Sequence, residues 1–318
     1  MTNAQEPTAR WSAPRRLQLP MWLYPLVGVT AVLVGLLPWF RRGLRLPVQN
    51  LWAGELPGTM PFALLPLNQY YLTAILGLMV TAGLLAGLVV HAAPAKERSR
   101  ATALTALGVS IGYLGAGLQS GWVLAHGLQE STLARAYLAF VIGWTVVSAF
   151  GGLIVLGLLG RGRRGGVPLA VALAAPALGA WAAMLISPSP ATATPFAWDA
   201  VEILRWLPAV AVGVALGWCG ARTVGRLGAW MLSLVLLYVL PGVLTAISSA
   251  AGYRVAGDPS ELIAAGLDAL SAALAPDVAG PPVLVAVSIA IVGAIIEAVL
   301  AWRRSKQPRA PRPAAGEQ

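Results

Sequence analysis

The chain has 318 residues, of which 58% are hydrophobic and 11% charged, and its formal net charge is +10 at pH 7. Soluble domains carry about 25% charged residues, so this composition excludes a soluble globular protein, a disordered chain and a disulfide scaffold. It predicts an all-α, polytopic membrane helix bundle whose first partner is the lipid bilayer. Arginine far outnumbers lysine and alanine and glycine are abundant, which is typical of a GC-rich, bacterial source.

Eight stretches are apolar enough, and about long enough, to cross the roughly 30 Å hydrocarbon core of a bilayer as helices. In chain order they are approximately 22–40, 70–91, 102–125, 136–159, 167–186, 204–220, 227–249 and 282–302. The two tails, 1–20 and 303–318, are polar and rich in Pro, Ala and Arg. Such composition cannot bury enough apolar surface to fold, and it predicts disorder for both tails.

The segment 41–69, after the first span, is the first of two long connections. It carries Pro47, Pro57, Pro61 and Pro66 among Leu, Trp and Phe residues. Proline excludes a continuous helix, yet the segment is too apolar for a free loop. We expect it to lie on the membrane surface or to fold back between helices.

The second long connection contains a predicted amphipathic helix at about 259–275. It begins after Asp258 with a proline in its first turn, which is a typical helix start. An apolar stripe then recurs at helical spacing, and Pro276 is expected to end the helix. The stripe consists of Ile263, Leu267, Leu270 and Leu274. We expect this outer helix to rest on the bundle or on the membrane interface.

The charges of the loops predict the orientation of the chain. If the N-terminus is cytoplasmic, sixteen of the 22 basic residues fall inside and eight of the twelve acidic residues fall outside. The positive-inside rule therefore predicts a plasma-membrane protein with both termini in the cytoplasm. The net charge of +10 is explained by insertion into the membrane, and no nucleic-acid partner is expected.

Three arginines, Arg41, Arg42 and Arg45, break this pattern because they fall on the outer side. A cluster of guanidinium groups can bind the phosphate of an anionic lipid headgroup. The same side chains can instead pair with outer acids, so lipid contact, partner contact and ion pairing stay open for this outer basic cluster.

Polar residues share one helical face in each of three spans. In the third span these include Ser110, Tyr113, Gly117 and Ser120; in the fourth, Thr145, Ser148 and Gly152; in the seventh, Tyr238, Pro241, Thr245 and Ser248. Broken helices can line binding sites in transporters, and hydroxyl groups can also simply join helices. A transporter predicts that the three faces converge on one cavity near the middle of the membrane.

Glu297 is the only carboxylate within a predicted span. An intramembrane acid is a candidate for proton or ion coupling. It lies six residues before Arg303, which also permits snorkelling to the surface or an ion pair with Arg222 or Arg226. Both interpretations stay open.

Short glycine motifs indicate packing rather than chemistry. The pairs Gly83 and Gly87, Gly117 and Gly121, and Gly213 and Gly217 have the spacing that lets membrane helices approach closely. The turn 160–165 has the sequence Gly-Arg-Gly-Arg-Arg-Gly. Since no strand precedes it, we interpret it as a turn that sets topology and not as a dinucleotide site.

No metal or other cofactor is expected. The single cysteine, Cys219, cannot form an intramolecular disulfide or a thiolate cluster, and the two histidines, His91 and His126, are far apart in the chain.

Three functions remain from the sequence. The first is a transporter or the membrane subunit of a transport complex, which would contact other membrane subunits. The second is a non-catalytic accessory or scaffold protein of the cell envelope. The third is an enzyme on lipid-linked substrates, which needs acids such as Asp199 and Glu202 near Arg41 and Arg42. We expect no enzymatic activity.

The orientation can be tested with reporter fusions. A reporter joined after Arg164 should be active as a cytoplasmic protein, and one joined after Glu130 should behave as external, because the charge asymmetry places these turns on opposite sides. Paired alkaline phosphatase and fluorescent-protein fusions measure this directly. The reverse pattern would overturn the charge argument.

Overall fold

The computed structural model describes residues 19–187, 194–252 and 259–305, and it is all-α over these ranges, as predicted. The helices in chain order are α1 (Tyr24–Gly35), α2 (Leu37–Arg41), α3 (Leu72–His91), α4 (Arg98–Gly127), α5 (Thr132–Gly160), α6 (Gly166–Ile186), α7 (Pro195–Leu204), α8 (Leu207–Cys219), α9 (Val224–Gly252), α10 (Pro259–Ala273) and α11 (Pro276–Ser305). Short 3₁₀ turns precede α1 and α3.

Seven stretches of helix in these ranges are long and apolar enough to cross a membrane. They are Gln69–His91, Arg98–Gly127, Thr132–Gly160, Gly166–Ile186, Pro195–Cys219, Val224–Gly252 and Pro276–Leu300. The remaining expected span falls on a shorter apolar helix, Met21–Gly35. The chain is therefore a multi-pass membrane protein.

The first expected span, 22–40, is interrupted at Leu36, between α1 and α2. Pro38 lies in the first turn of α2. It has no N–H to donate to the carbonyl four residues earlier, so it cannot continue the ladder of α1. The span is therefore two helices in series and not the single helix predicted.

The sixth expected span, approximately 204–220, corresponds to α8, and a further helix that was not predicted precedes it. Helix α7 begins at Pro195, where the Thr194 hydroxyl accepts a hydrogen bond from the N–H of Ala197, and it ends at Leu204. Helix α8 starts after Arg205 and Trp206, with Pro208 in its first turn. Pro208 has no N–H to donate to the carbonyl of Leu204, so α7 does not continue into α8.

Helix α10 has the predicted range and rests on the bundle, which is one of the two placements expected. It runs back along α9, where Gly266 faces Ala246 and Ala250, and the Tyr238 hydroxyl donates a 2.6 Å hydrogen bond to the Leu274 carbonyl. Tyr238 is the fifteenth residue of the 29 in α9. The end of α10 therefore reaches the middle of α9.

The apolar stripe predicted for α10 is only partly the packed side. Ile263 and Leu267 are 63% and 59% exposed, whereas Leu270 and Leu274 are half-buried.

The last helix is longer than predicted at both ends. Pro276, which follows α10, also begins α11, six residues before the predicted start of the last span. At its other end α11 continues to Ser305, so residues 303–305 are helical and not part of a disordered tail. The predicted disorder of 1–18 and 306–318 lies outside the described residues.

The segment 41–69 folds back into the bundle, which is the second of the two arrangements expected. The N–H of Leu65 donates to the hydroxyl of Ser120 at 2.8 Å, and Gln119 bonds the backbone of Leu64 and Phe62. Ser120 lies seven residues before the end of α4, which is about 10 Å along the helix axis. Leu46, Leu65 and Leu67 of the segment are fully buried.

Buried amides hold the rest of the segment. The side chain of Gln49 donates to the carbonyl of Leu67 at 3.0 Å and accepts a 2.6 Å hydrogen bond from Tyr137 of α5. Asn68 donates to the carbonyl of Val48 and caps the 3₁₀ turn before α3. We call the end of the bundle that holds this segment the loop end, and the end with the turns 92–97, 161–165 and 220–223 the turn end.

Helix α3 lies at the centre of the bundle. In its most apolar window 67% of residues are buried, against 11% to 39% in the other spans. It packs against α1, α5 and α6. Its glycines and alanines allow these neighbours to approach closely.

Two of the three predicted glycine pairs are helix contacts. A Cβ at Gly83 would overlap the carbonyl of Gly152 in α5, and one at Gly213 would lie 2.7 Å from the Ala286 carbonyl in α11. The prediction is wrong for Gly117, because nothing lies within 4 Å of a Cβ there, although Gly121 approaches Ile142.

This difference gives a matched pair of variants. Gly83→Ala should destabilise the fold by about 1–3 kcal/mol, because the added methyl group displaces α5. Gly117→Ala should be neutral or slightly stabilising, since Ala favours the helix and meets no neighbour. Thermal unfolding in detergent measures both. Equal losses would contradict the packing described.

Candidate functional site

The polar faces of α4 and α5 border one groove between these two helices. The α4–α5 groove has a volume of about 950 Å³, and Ser110, Tyr113 and Thr145 line it among many apolar side chains. Tyr113 donates to the Met79 carbonyl, and Thr145 donates to the carbonyl of Val141 at 2.8 Å. Both hydroxyls therefore serve the fold, and the groove offers little polar surface to a solute.

The polar face of α9 lies elsewhere, in a separate cleft of about 650 Å³ that we call the α9 cavity. Its polar lining consists of Thr73, Arg205, Tyr238, Thr245, Ser248 and Ser249. The predicted residues Tyr238, Thr245 and Ser248 thus share one site, but Ser110 and Tyr113 do not belong to it. The convergence of all three polar faces on one cavity is wrong.

Hydrogen bonds fix the walls of the α9 cavity. Thr73 and Ser248 join α3 to α9 through a 3.1 Å contact between their hydroxyl oxygens. Tyr238 joins α9 to the end of α10, and Thr245 donates to the carbonyl of Pro241 at 2.9 Å. Thr245 is exposed and keeps its acceptor capacity for another group.

Irregular backbone surrounds the same cavity. The break between α7 and α8 contributes Arg205 and Pro208, and the first turn of α11 contributes Val278 and Ala279. Pro241, inside α9, also lines it. Two helices therefore begin at this cavity, and the first N–H groups of a helix carry a partial positive charge.

Arg205 adds a full positive charge to the cavity. Its guanidinium pairs with Glu202 at 2.8 Å and lies 4.9 Å from the ring of Trp206. Both charged side chains are more than half exposed, so the pair is weak and its geometry adjustable. From its place in the sequence Arg205 is only one of the outer basic residues. Pro208, three residues later, does not by itself predict the helix break, because Pro241 lies inside α9.

Glu297 lies at the turn end, away from the α9 cavity. Its carboxylate is 3.6 Å from Arg164, a partner different from the Arg222 or Arg226 considered from the sequence. The guanidinium of Arg164 also lies 5.9 Å from the centre of the Trp218 ring. The ring of His91 makes an edge contact with the same tryptophan. Gly220 is left-handed, with φ +67°, and a Cβ there would be 3.0 Å from Glu297.

The outer basic cluster is divided among three partners. Arg41 donates to the carbonyl of Leu185 near the end of α6. Arg42 lies 5.7 Å from the centre of the Tyr71 ring, and Arg45 donates to the Met60 carbonyl at 3.3 Å. In the described ranges none of the three has a carboxylate within 4 Å. The cluster is used to hold the segment 41–69 against its neighbours.

The acids considered for an enzyme are also used differently. Glu202 pairs with Arg205 rather than with Arg41 or Arg42, and Asp199 forms no ion pair with a described residue.

Comparison of the chain with protein-family models, curated proteins and solved structures gives no match in any of the three. The function therefore has to be argued from the site itself.

The role of Glu297 can be tested with a double-mutant cycle. Arg164→Gln, Glu297→Gln and the double variant should give a coupling energy below about 1 kcal/mol, because both side chains are partly exposed and the ion pair is loose. Thermal unfolding in detergent provides the three differences. A coupling of several kcal/mol would instead indicate a desolvated pair, whose charge state matters to the protein.

Proposed function

We propose that the protein is a transporter, or the membrane subunit of a transport complex, and that the α9 cavity binds its solute. Of the three polar faces expected to converge, only that of α9 meets interrupted helices at one cleft, and this meeting is the observation that carries the proposal. Six polar residues and the first turns of α8 and α11 line a volume of about 650 Å³. Discontinuous helices of this kind form the solute sites of many secondary transporters.

The charges at the cavity favour a small solute with a negative group. Arg205 and two helix N-termini are positive, and no carboxylate of the described residues lines the cavity. An anionic group on the solute would replace Glu202 as the partner of Arg205. Hydroxyl groups of Thr245 and Ser248 would accept or donate hydrogen bonds to the rest of the solute.

The setting of this activity is also part of the proposal. The turn end carries Arg98, Arg161, Arg163, Arg164 and Arg222, so by the positive-inside rule it faces the cytoplasm of a bacterial cell. Thr73 and Ser248, two of the residues that line the α9 cavity, lie towards the loop end, and the cell membrane is the expected location. In this proposal the protein has no catalytic activity of its own, and other membrane subunits are its partners.

A scaffold protein is the alternative, and the access of water to the cavity separates the two. A transporter exposes its site to each side in turn, whereas a scaffold needs no route through the bundle. Cys219 is the only cysteine of the chain and is buried. Replacing it by serine gives a background in which one new cysteine can be labelled.

The test places a cysteine at Thr245. In sealed vesicles, Thr245→Cys should react with a membrane-impermeant thiol reagent added on either side, because the cavity is polar and its solute must enter and leave. Ser110→Cys, in the apolar α4–α5 groove, serves as the matched control and should stay unlabelled from both sides. Labelling of Thr245→Cys from one side only, or from neither, would overturn the transport proposal and favour the scaffold.

A further inference from the structure

A second pocket lies at the turn end, between the start of α4 and the end of α5. It has a volume of about 660 Å³, and three arginines line it, Arg98 from α4 and Arg161 and Arg163 from the turn that follows α5. Ser99 and Thr102 supply hydroxyl groups to the same wall. We call it the basic pocket.

The glycines of the turn hold the arginines in place. Gly162 has a left-handed backbone, with φ +64°, and a Cβ there would overlap the guanidinium of Arg98. A Cβ at Gly160 would overlap Thr102. The turn 160–165 therefore packs directly on the first turns of α4, and only glycine permits this contact.

The charge of the basic pocket is not balanced by the chain. In the ranges that the structure describes, no carboxylate lies within 4 Å of Arg98, Arg161 or Arg163. Arg98 donates to the Ala93 carbonyl at 3.2 Å, and its Nε is buried without a partner. The guanidinium and hydroxyl groups that line the pocket can donate hydrogen bonds to the oxygens of a phosphate group.

The position of Arg98 opposes the dipole of α4, whose N-terminus it occupies. The first turn of α4 holds no acid, and the side chain of Glu97, just before it, makes no capping hydrogen bond. Arginines at the positive end of a helix are unfavourable. An anion in the basic pocket would reverse this, because it would face both the guanidinium groups and the free N–H groups of α4.

An apolar path leaves the basic pocket on the membrane side. The pocket is bounded by Ala106, Leu153 and Leu156, and Leu153 also lines the α4–α5 groove. The groove continues along the same faces of both helices as far as Trp122, which is 64% exposed. A phosphate site and a long apolar groove are thus parts of one surface.

We propose that this surface binds an anionic phospholipid, with the phosphate in the basic pocket and an acyl chain in the α4–α5 groove. The phosphate oxygens accept hydrogen bonds from Arg98, Arg161 and Arg163, and the acyl chain covers Leu114, Leu118 and Phe150, which are 61% to 71% exposed. Basic pockets between membrane helices on the cytoplasmic side recognise lipid headgroups by this chemistry. The site is independent of the α9 cavity.

The first test removes the charge. Native mass spectrometry of the full chain in neutral detergent, titrated with phosphatidylglycerol, should show one saturable lipid. Replacing Arg98, Arg161 and Arg163 by Gln should weaken this binding at least about ten-fold, because these guanidinium groups supply the positive charge that holds the phosphate. Lys96, Arg100 and Arg222 are exposed at the same end and do not line the pocket. Their triple Gln variant loses the same charge and should bind as the wild type does; equal loss in both triple variants would overturn the proposal.

The second test separates a lipid from a free phosphate. Gly117 lines the α4–α5 groove, and nothing lies within 4 Å of a Cβ there, so Gly117→Leu can fill the groove without disturbing the fold. It should weaken phosphatidylglycerol binding, while Gly143→Leu, at an exposed and equally open site outside the groove, should not. Inorganic phosphate at millimolar concentration should compete poorly. Unchanged lipid binding in Gly117→Leu, or full competition by inorganic phosphate, would overturn the assignment to a lipid.

Discussion

The structure depends on one constraint of the bilayer, which is that hydrocarbon cannot hydrogen-bond to the backbone. Each irregular segment within a membrane bundle must find its partners in the protein. The segment 41–69 finds them in Gln119 and Ser120 of α4, and the end of α10 finds one in Tyr238 of α9. Polar side chains within the spans are therefore placed where the backbone departs from a helix.

This constraint also decides which hydroxyl groups remain for a ligand. Tyr113 and Thr145 already bond carbonyls of their own bundle, and Ser120 is committed to Leu65. Two helices begin at the α9 cavity, so polar groups are expected there for structural reasons alone. This cavity differs from a simple contact between helices because it encloses open volume, and because Arg205 and the exposed Thr245 lie on its walls.

Much of the fold could be predicted from the sequence, because apolar length alone identifies a membrane helix. The interruptions between helices could not be predicted, because proline has different effects at different positions. Pro38 and Pro208 lie at the start of new helices, whereas Pro241 lies inside α9. Helical spacing places Ser110 and Thr245 each on the polar face of its own helix, but it does not say which helix that face meets. For this reason the grouping of Tyr238, Thr245 and Ser248 could be predicted, and the contributions of Thr73 and Arg205 could not.

The arginines show how far a charge count can go. The positive-inside rule needs only a number of basic residues on one side, and the loops of the turn end supply it. Such a signal requires neither the left-handed Gly162 against Arg98 nor an arginine at the positive end of α4. It also does not explain why three guanidiniums surround one pocket while Arg164 alone takes the nearby carboxylate of Glu297. The grouping of three arginines around one pocket is therefore the part of the arrangement that topology leaves unexplained, and the anion proposed to bind there would account for it.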